Sequence, residues 1–192
     1  MVQRIDLAVK EIKRIAKNNK YGYDQLNRYG PDYDCSSLVA HCLIEGGFPV
    51  SKYSYTGNLY RQLIDCGFEI CSKPWKAGDI HLSPNKHVCM SINAKEIAQA
   101  SINENGKTTG GKTGDQTSNE INIKPYYEYK GGWRYHLRYN NHPTHFKEVT
   151  RKVVIDVIRG KYGNGEKRRV KLESLGYDYV EVQKKVNKYL RR

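Results

Sequence analysis

Cys35 stands between a turn-like Gly30-Pro31-Asp32 and an apolar run, Leu38, Val39, Ala40, Cys42, Leu43 and Ile44, that stops at Gly46-Gly47. Gly and Pro end the preceding element, and a glycine pair after an apolar run marks a helix end. The spacing therefore predicts a buried helix with Cys35 at or near its N-terminus. The helix dipole and the free N–H groups there favour negative charge, which lowers a thiol pKa and makes a thiolate nucleophile accessible. A thiol used this way needs a base, commonly a histidine brought in from elsewhere in the fold. His41 lies six residues along the same helix, about 240° around it, and cannot easily meet the thiol. His81 falls within a strand pattern, His87 opens the next strand just after a loop, and His136 falls in a closing strand. From position alone, Cys35 reads equally as a buried structural cysteine, and a strand histidine as a structural one. The strand after His87 supplies Gln99, with Ser101, Asn103 and Glu104 beyond it, as groups to orient a base; Gln99 is the preferred one. Backbone N–H groups at the helix start, around Ser36, would form an oxyanion site together with the Tyr23 hydroxyl. Tyr23 would look the same as a loop aromatic packed on the core.

The surrounding pattern supplies the elements to position these groups. Ile5, Ala8, Ile12 and Ile15 recur at helical spacing within residues 4–17. Residues 50–65 contain a cap-like turn and a short helix around Leu59 and Leu63. Phe68–Cys71 reads as a short strand. From Ala77 the period changes to an antiparallel meander: Gly78–Leu82, His87–Ile92 and Ile97–Ile102, with Ile121 and Ile123 in a further strand and Trp133–Tyr139 closing it. Residues 105–118, rich in Gly, Thr and Lys, read as an exposed loop. A polar break at Asn140–Thr144 predicts a linker over 141–147, separating a first domain, 1–140, from a second, 148–192. The second shows three short helical patterns, carrying Val153, Val154, Val157 and Ile158; Val170, Leu172 and Leu175; and Val182, Val186 and Leu190. The fold class is thus α+β, helices plus an antiparallel sheet, followed by a small three-helix bundle.

Composition narrows the function classes. The five cysteines form neither a CxxC pair nor a disulfide framework, and no zinc site is suggested, so no metal or other cofactor is expected. No run approaches the roughly 18 apolar residues of a membrane span, so no stable membrane insertion is expected. Met1–Asn19 lacks the apolar core of a secretion signal, which predicts a protein made in the cytoplasm and released by other means. The net charge of +13 is uneven, since residues 141–192 carry 14 Lys and Arg against 6 Asp and Glu. Such a chain seeks an anionic partner, nucleic acid or a wall polymer. No nucleic-acid-binding motif is present, which counts against the first.

Asp34-Cys35-Ser36-Ser37-Leu38-Val39, then Gly78-Asp79-Ile80, then His87-Val88, resembles the NlpC-type cell-wall peptidases, a papain-like family. The resemblance covers about residues 5–139. It implies Cys35 as nucleophile, His87 as base and a third polar residue on the following strand. That family often has glycine where Ser37 stands and histidine at the third position, where this chain has Gln99. Residues 100–106, Gly114–Thr117 and the Trp133–Tyr139 ending are similar to the form in phage and prophage endolysins. Val157–Gly165, Arg168-Arg169, Gly176–Tyr179, Val182-Gln183 and Val186-Asn187 resemble the three-helix cell-wall-binding repeat of a pneumococcal phage lysozyme. This second resemblance implies Asp156, Arg159, Tyr162, Asn164, Gln183 and Asn187 as wall contacts, with Tyr162 where that family commonly has Trp.

Together the two resemblances imply a peptidoglycan hydrolase that cleaves an amide bond of the stem peptide by a Cys-His mechanism and is held on the wall by its C-terminal module. Cleavage of the bond joining peptide to sugar is the alternative within the class. A wall-binding protein without catalysis is the alternative outside it. The sequence does not set the oligomeric state.

Overall fold

The computed structural model describes residues 3–140, 147–177 and 179–190. Most of the expected linker, residues 141–146, and Asp178 lie outside the described residues, as does the side chain of Val170. Two compact units are present, one spanning Gln3–Tyr139 and the other running from Asn140 onward.

In the first unit, α1 (Ile5–Ile15) buries Ala8, Val9, Ile12 and Ile15 on one side and leaves its charged residues outside. Helix α2 (Cys35–Glu45) is apolar over most of its surface, with Ser37, His41 and Glu45 in one row four residues apart. Leu38, Val39, Ala40, Cys42 and Leu43 are all fully enclosed. Burying a side chain of Leu or Val size contributes about 1.5–3 kcal/mol, so the position of α2 is strongly determined. Its start is determined as well. The Asp34 carboxylate accepts from the Ser37 N–H at 2.7 Å and the Ser37 hydroxyl accepts from the Asp34 N–H at 2.9 Å, a reciprocal cap that sets Cys35 as the first helical residue.

Helix α3 (Leu59–Asp65) leads into a six-stranded sheet: β1 (Phe68–Ile70), β2 (Ile80–Ser83), β3 (His87–Ser91), β4 (Glu96–Ala100), β5 (Ile121–Pro125) and β6 (Tyr135–Tyr139). All pairings are antiparallel, in the order β1-β6-β2-β3-β4-β5. The meander runs from β2 to β5. The last strand does not close its far edge but returns to lie between β1 and β2. Strand alternation then divides the sheet's residues. Ile80, Leu82, Val88, Met90, Ala98, Ala100 and Leu137 join the core built with α1 and α2. Cys89 and Ile97 pack instead with Trp133, Tyr126, Tyr127 and Tyr129.

The segment expected to be an exposed loop is anchored at its C-terminal end. Gly114 and Asp115 are buried, and the Asp115 carboxylate accepts from the backbone N–H groups of Thr117, Asn119 and Glu120 at 3.0–3.1 Å. The Gly114 carbonyl packs where a Cβ on Gly22 would have to lie, so this approach requires glycine at 22. The polar composition suggested solvent, but these side chains instead satisfy backbone donors.

In the second unit, α4 (Arg151–Ile158), α5 (Gly165–Ser174) and α6 (Tyr179–Leu190) share an apolar cluster of Val149, Val153, Val154, Val157, Tyr162, Leu172, Val182 and Val186. Leu175 and Leu190, expected in this core, are 41% and 64% exposed. They sit at or beyond helix ends, where side chains run past the packed centre.

Candidate active site

Helix α2, with Cys35 at its capped start, packs against β3, the strand that carries His87. Cys35 is buried, and the nearby backbone N–H groups of Val88 and Ser36 act to lower its pKa. Val88 follows His87 directly, so consecutive residues of β3 act on the thiol and carry the imidazole. The His87 Nε2 lies 2.9 Å from Gln99 Oε1, and the Tyr127 hydroxyl donates to the same oxygen at 3.0 Å. Because Ser91 pairs with Ile97, the side chains of His87 and Gln99 share one side of the sheet. An amide oxygen only accepts, so Nε2 carries the proton and Nδ1 is left with a free lone pair. The ring stacks on Tyr129 at 5.5 Å and on Trp133 at 6.0 Å, and those two rings lie 5.0 Å from each other, so the three form one cluster.

The electrostatics correct one expectation. Helix position alone favours a thiolate at Cys35, but burial pushes the thiol up to about 12, with the neighbouring Asp34 charge adding to it. The two N–H groups act the other way and are outweighed. Burial also lowers the His87 pKa, against the hydrogen bond that His87 donates to Gln99. Both groups are therefore neutral near pH 7, as thiol and imidazole.

Tyr23 is buried, and its hydroxyl accepts from Gln25 Nε2 at 3.1 Å. Burial pushes its phenol to about 12, with the nearby Cys35 and Asp34 adding to the rise. It thus stays an O–H that can donate. The Ser36 side chain turns back to Asp34, donating to Oδ1 at 3.0 Å, which leaves its backbone N–H to act on Cys35.

Composition and motif did not single out Arg28 or Tyr127, and marked Trp133 only as the start of a closing strand. Arg28 Nη1 pairs with Asp34 Oδ2 at 2.6 Å, and Nη2 reaches Ser36 Oγ at 3.3 Å and the Ser54 carbonyl. One guanidinium thereby ties the start of α2 to two loops. Trp133 Nε1 donates to the Tyr127 carbonyl at 2.9 Å, fixing the loop that carries Tyr127 to Gln99. No local pattern marks the reach of Arg28 to Ser54 or of Tyr127 to Gln99, because these partners lie 26 and 28 residues away.

The other described histidines, His41, His81 and His136, are engaged elsewhere; His142 and His145 lie outside the described residues. His41 contacts Glu11 at 3.3 Å. His81 is fully buried, with Nε2 at 2.8 Å from Ser91 Oγ and Nδ1 at 2.8 Å from His136 Nδ1. Among the described residues, no group of three or more His, Cys, Asp or Glu is arranged to hold a metal ion, and no helix is long and apolar enough to cross a membrane.

In the second unit the expected wall contacts fall into two groups. Arg168 donates to Asn164 Oδ1 at 2.7 Å and Gln183 Oε1 at 3.3 Å, and Gln183 donates to Asn187 Oδ1 at 3.0 Å. Asp156 pairs with Lys152 at 2.8 Å and Lys161 at 3.3 Å. Arg159 is exposed, whereas Tyr162 packs in the apolar cluster with 8% of its surface free. Its ring is enclosed in the core of the second unit, which leaves little of its surface for a ligand.

Residues 10–141 match the family model Amidase_5, described as bacteriophage peptidoglycan hydrolase, and the chain belongs to that family. Residues 151–190 match the CW_7 repeat, a cell-wall repeat. No curated protein matches the chain. The protein is therefore an enzyme of the phage endolysin kind that acts on peptidoglycan and carries a cell-wall repeat.

Proposed function

We propose that the first unit is a papain-like, NlpC-type cysteine hydrolase that cuts an amide bond in the peptidoglycan stem peptide. The observation that carries this reading is the arrangement where α2 packs on β3: Cys35 at the first position of α2, Val88 N–H near it, and the neighbouring His87 held by Gln99 in the tautomer that leaves Nδ1 free.

The chemistry follows from the protonation states. As Cys35 Sγ attacks the carbonyl carbon, its proton passes to His87 Nδ1, so an ion pair forms only as the C–S bond forms. Backbone N–H groups at the start of α2 and the Tyr23 hydroxyl donate to the carbonyl oxygen as it gains charge. The imidazolium then protonates the leaving amine, the C–N bond breaks, and a thioester remains on Cys35. Water, deprotonated by His87, hydrolyses the thioester and restores the thiol. Gln99 touches no reacting atom; it positions the ring.

The second unit, read as a three-helix module, holds the enzyme on the wall through the group around Arg168, Asn164, Gln183 and Asn187, with Asp156 and Arg159 as further contacts. Its excess of basic residues favours an anionic polymer. A second reading, cleavage between the peptide and the sugar, draws on the name of the matched family and uses the same residues.

The test is mass spectrometry of fragments released from purified Gram-positive peptidoglycan by the wild type and by Cys35→Ala. New amine termini within the stem, absent with the variant, are expected. Free intact stem peptides would select the second reading. Equal release by Cys35→Ala, or loss of activity on chelating divalent metals, would refute the mechanism.

A further inference from the structure

A cleft of about 620 Å³ opens beside the candidate active site, and two cations face it. One wall is the turn from Ser83 to Lys86, which leads directly into His87. The other is residues 131–135, which include Trp133, the ring stacked on His87. Tyr60 and Tyr135 line it as a stacked pair, with centroids 4.1 Å apart. The walls are tied together, since Ser83 Oγ donates to the Gly132 carbonyl at 2.8 Å. The cleft is thus preformed and has a volume usual for a small-ligand site.

Its charge is one-sided. Lys86 and Arg134 are exposed, no lining residue is acidic, and among the described residues neither cation joins an ion pair. Arg134 rests its guanidinium over the Tyr135 ring, 5.7 Å from the centroid, with Nε donating to the Tyr135 hydroxyl at 3.3 Å. That contact occupies Nε and leaves Nη1 and Nη2 for a ligand. A guanidinium edge with an ammonium nearby matches a carboxylate, which accepts two parallel N–H bonds and cancels charge. A carboxamide offers neither the charge nor two acceptor oxygens.

We propose that this cleft binds a free carboxylate of the stem peptide beside the bond to be cut, with Lys86 and Arg134 as its recognition residues. The inference rests on the stem-peptide hydrolase reading. It makes the enzyme sensitive to whether the wall's stem carboxylates are free or amidated.

The test uses synthetic stem peptides with all carboxylates free, and versions with one carboxylate at a time converted to carboxamide. With the wild type, one conversion raises KM about tenfold and leaves kcat nearly unchanged, as loss of uniform binding does. Lys86→Gln/Arg134→Gln shows that raised KM with the free acid and no further loss with the amide; its thermal melt controls for folding. Equal KM for every peptide overturns the inference. Binding of the same peptides to Cys35→Ala by titration calorimetry separates the two readings. Discrimination in binding without wild-type hydrolysis sinks the catalytic reading and keeps the cleft. Hydrolysis without discrimination does the reverse, and neither binding nor hydrolysis removes both.

Discussion

His87 and Gln99 meet across adjacent strands with 2.9 Å between Nε2 and Oε1, and the same oxygen takes the Tyr127 hydroxyl at 3.0 Å. An amide that accepts twice on one oxygen cannot rotate without losing both bonds, so it holds one ring tautomer. Gln99→Leu removes the acceptor at little cost in volume. It is expected to lower kcat roughly 10- to 100-fold, as loss of an orienting group does, while Gln99→Glu retains an acceptor and part of the rate. Steady-state rates on a soluble stem peptide decide it, and an unchanged kcat for Gln99→Leu would remove Gln99 from the mechanism.

The neutral thiol and imidazole make a distinct prediction. With Cys35 pushed up to about 12 and His87 shifted below its ordinary 6.5, no ion pair exists before substrate binds. Removing the thiol in Cys35→Ala should therefore hardly move the His87 titration followed by NMR. The acid limb of the pH profile of kcat/KM should lie below pH 6.5. A preformed ion pair would instead give a His87 pKa that falls markedly in the variant.

Stability should fall in mild acid. The pKa values of His81, His87 and His136 are all lowered from 6.5 by burial, His81 to about 3. Each binds its proton more readily unfolded than folded, so their contribution is complete above pH 6.5 and is lost as pH drops below it. The loss for His81 continues to about pH 3. Each such group gives a slope of about 1.4 kcal/mol per pH unit when fully neutral in the fold and protonated out of it. Between pH 6.5 and the carboxylate range near 4.5 the histidines dominate. Denaturant midpoints across that window, with His81→Leu flattening the slope, check this.

Arg28 holds the start of α2 from outside. Its side chain and that of Asp34 are 15% and 6% exposed. Arg28→Met strands the Asp34 carboxylate and should cost about 2–4 kcal/mol, somewhat less than breaking a fully buried pair because the cap on Ser37 remains. Thermal denaturation measures the loss, and a shift in Tm of a degree or less would mean the pair is replaced by water.

Arg168 joins Asn164 to Gln183, and through it Asn187. Arg168→Ala should weaken pelleting with purified walls about tenfold while leaving turnover of a soluble stem peptide unchanged. Wild-type binding should also decline as salt is raised, because exposed charges are screened. Salt-independent pelleting would count against an electrostatic hold.

Much of the architecture was legible because it depends on local pattern. The apolar run after Cys35 and its glycine stop define α2, and alternation with polar turns marks the strands carrying His87 and Gln99. The sequence alone placed Cys35 at a helix start and His87 at a strand start, since caps and periodicity are short-range. Only the tertiary structure decided the insertion of β6 between β1 and β2, the anchoring of the 105–118 segment through Gly114 N–H on the Asp32 carboxylate and Asp115 N–H on the Asn19 carbonyl, and the reach of Arg28 to the Ser54 carbonyl, because hydrogen bonds between distant residues leave no periodic trace. It also reversed the electrostatics of Cys35. A helix N-terminus lowers a thiol pKa by an amount that position predicts, but burial raises it by an amount that depends on everything packed around the sulfur, and here burial wins.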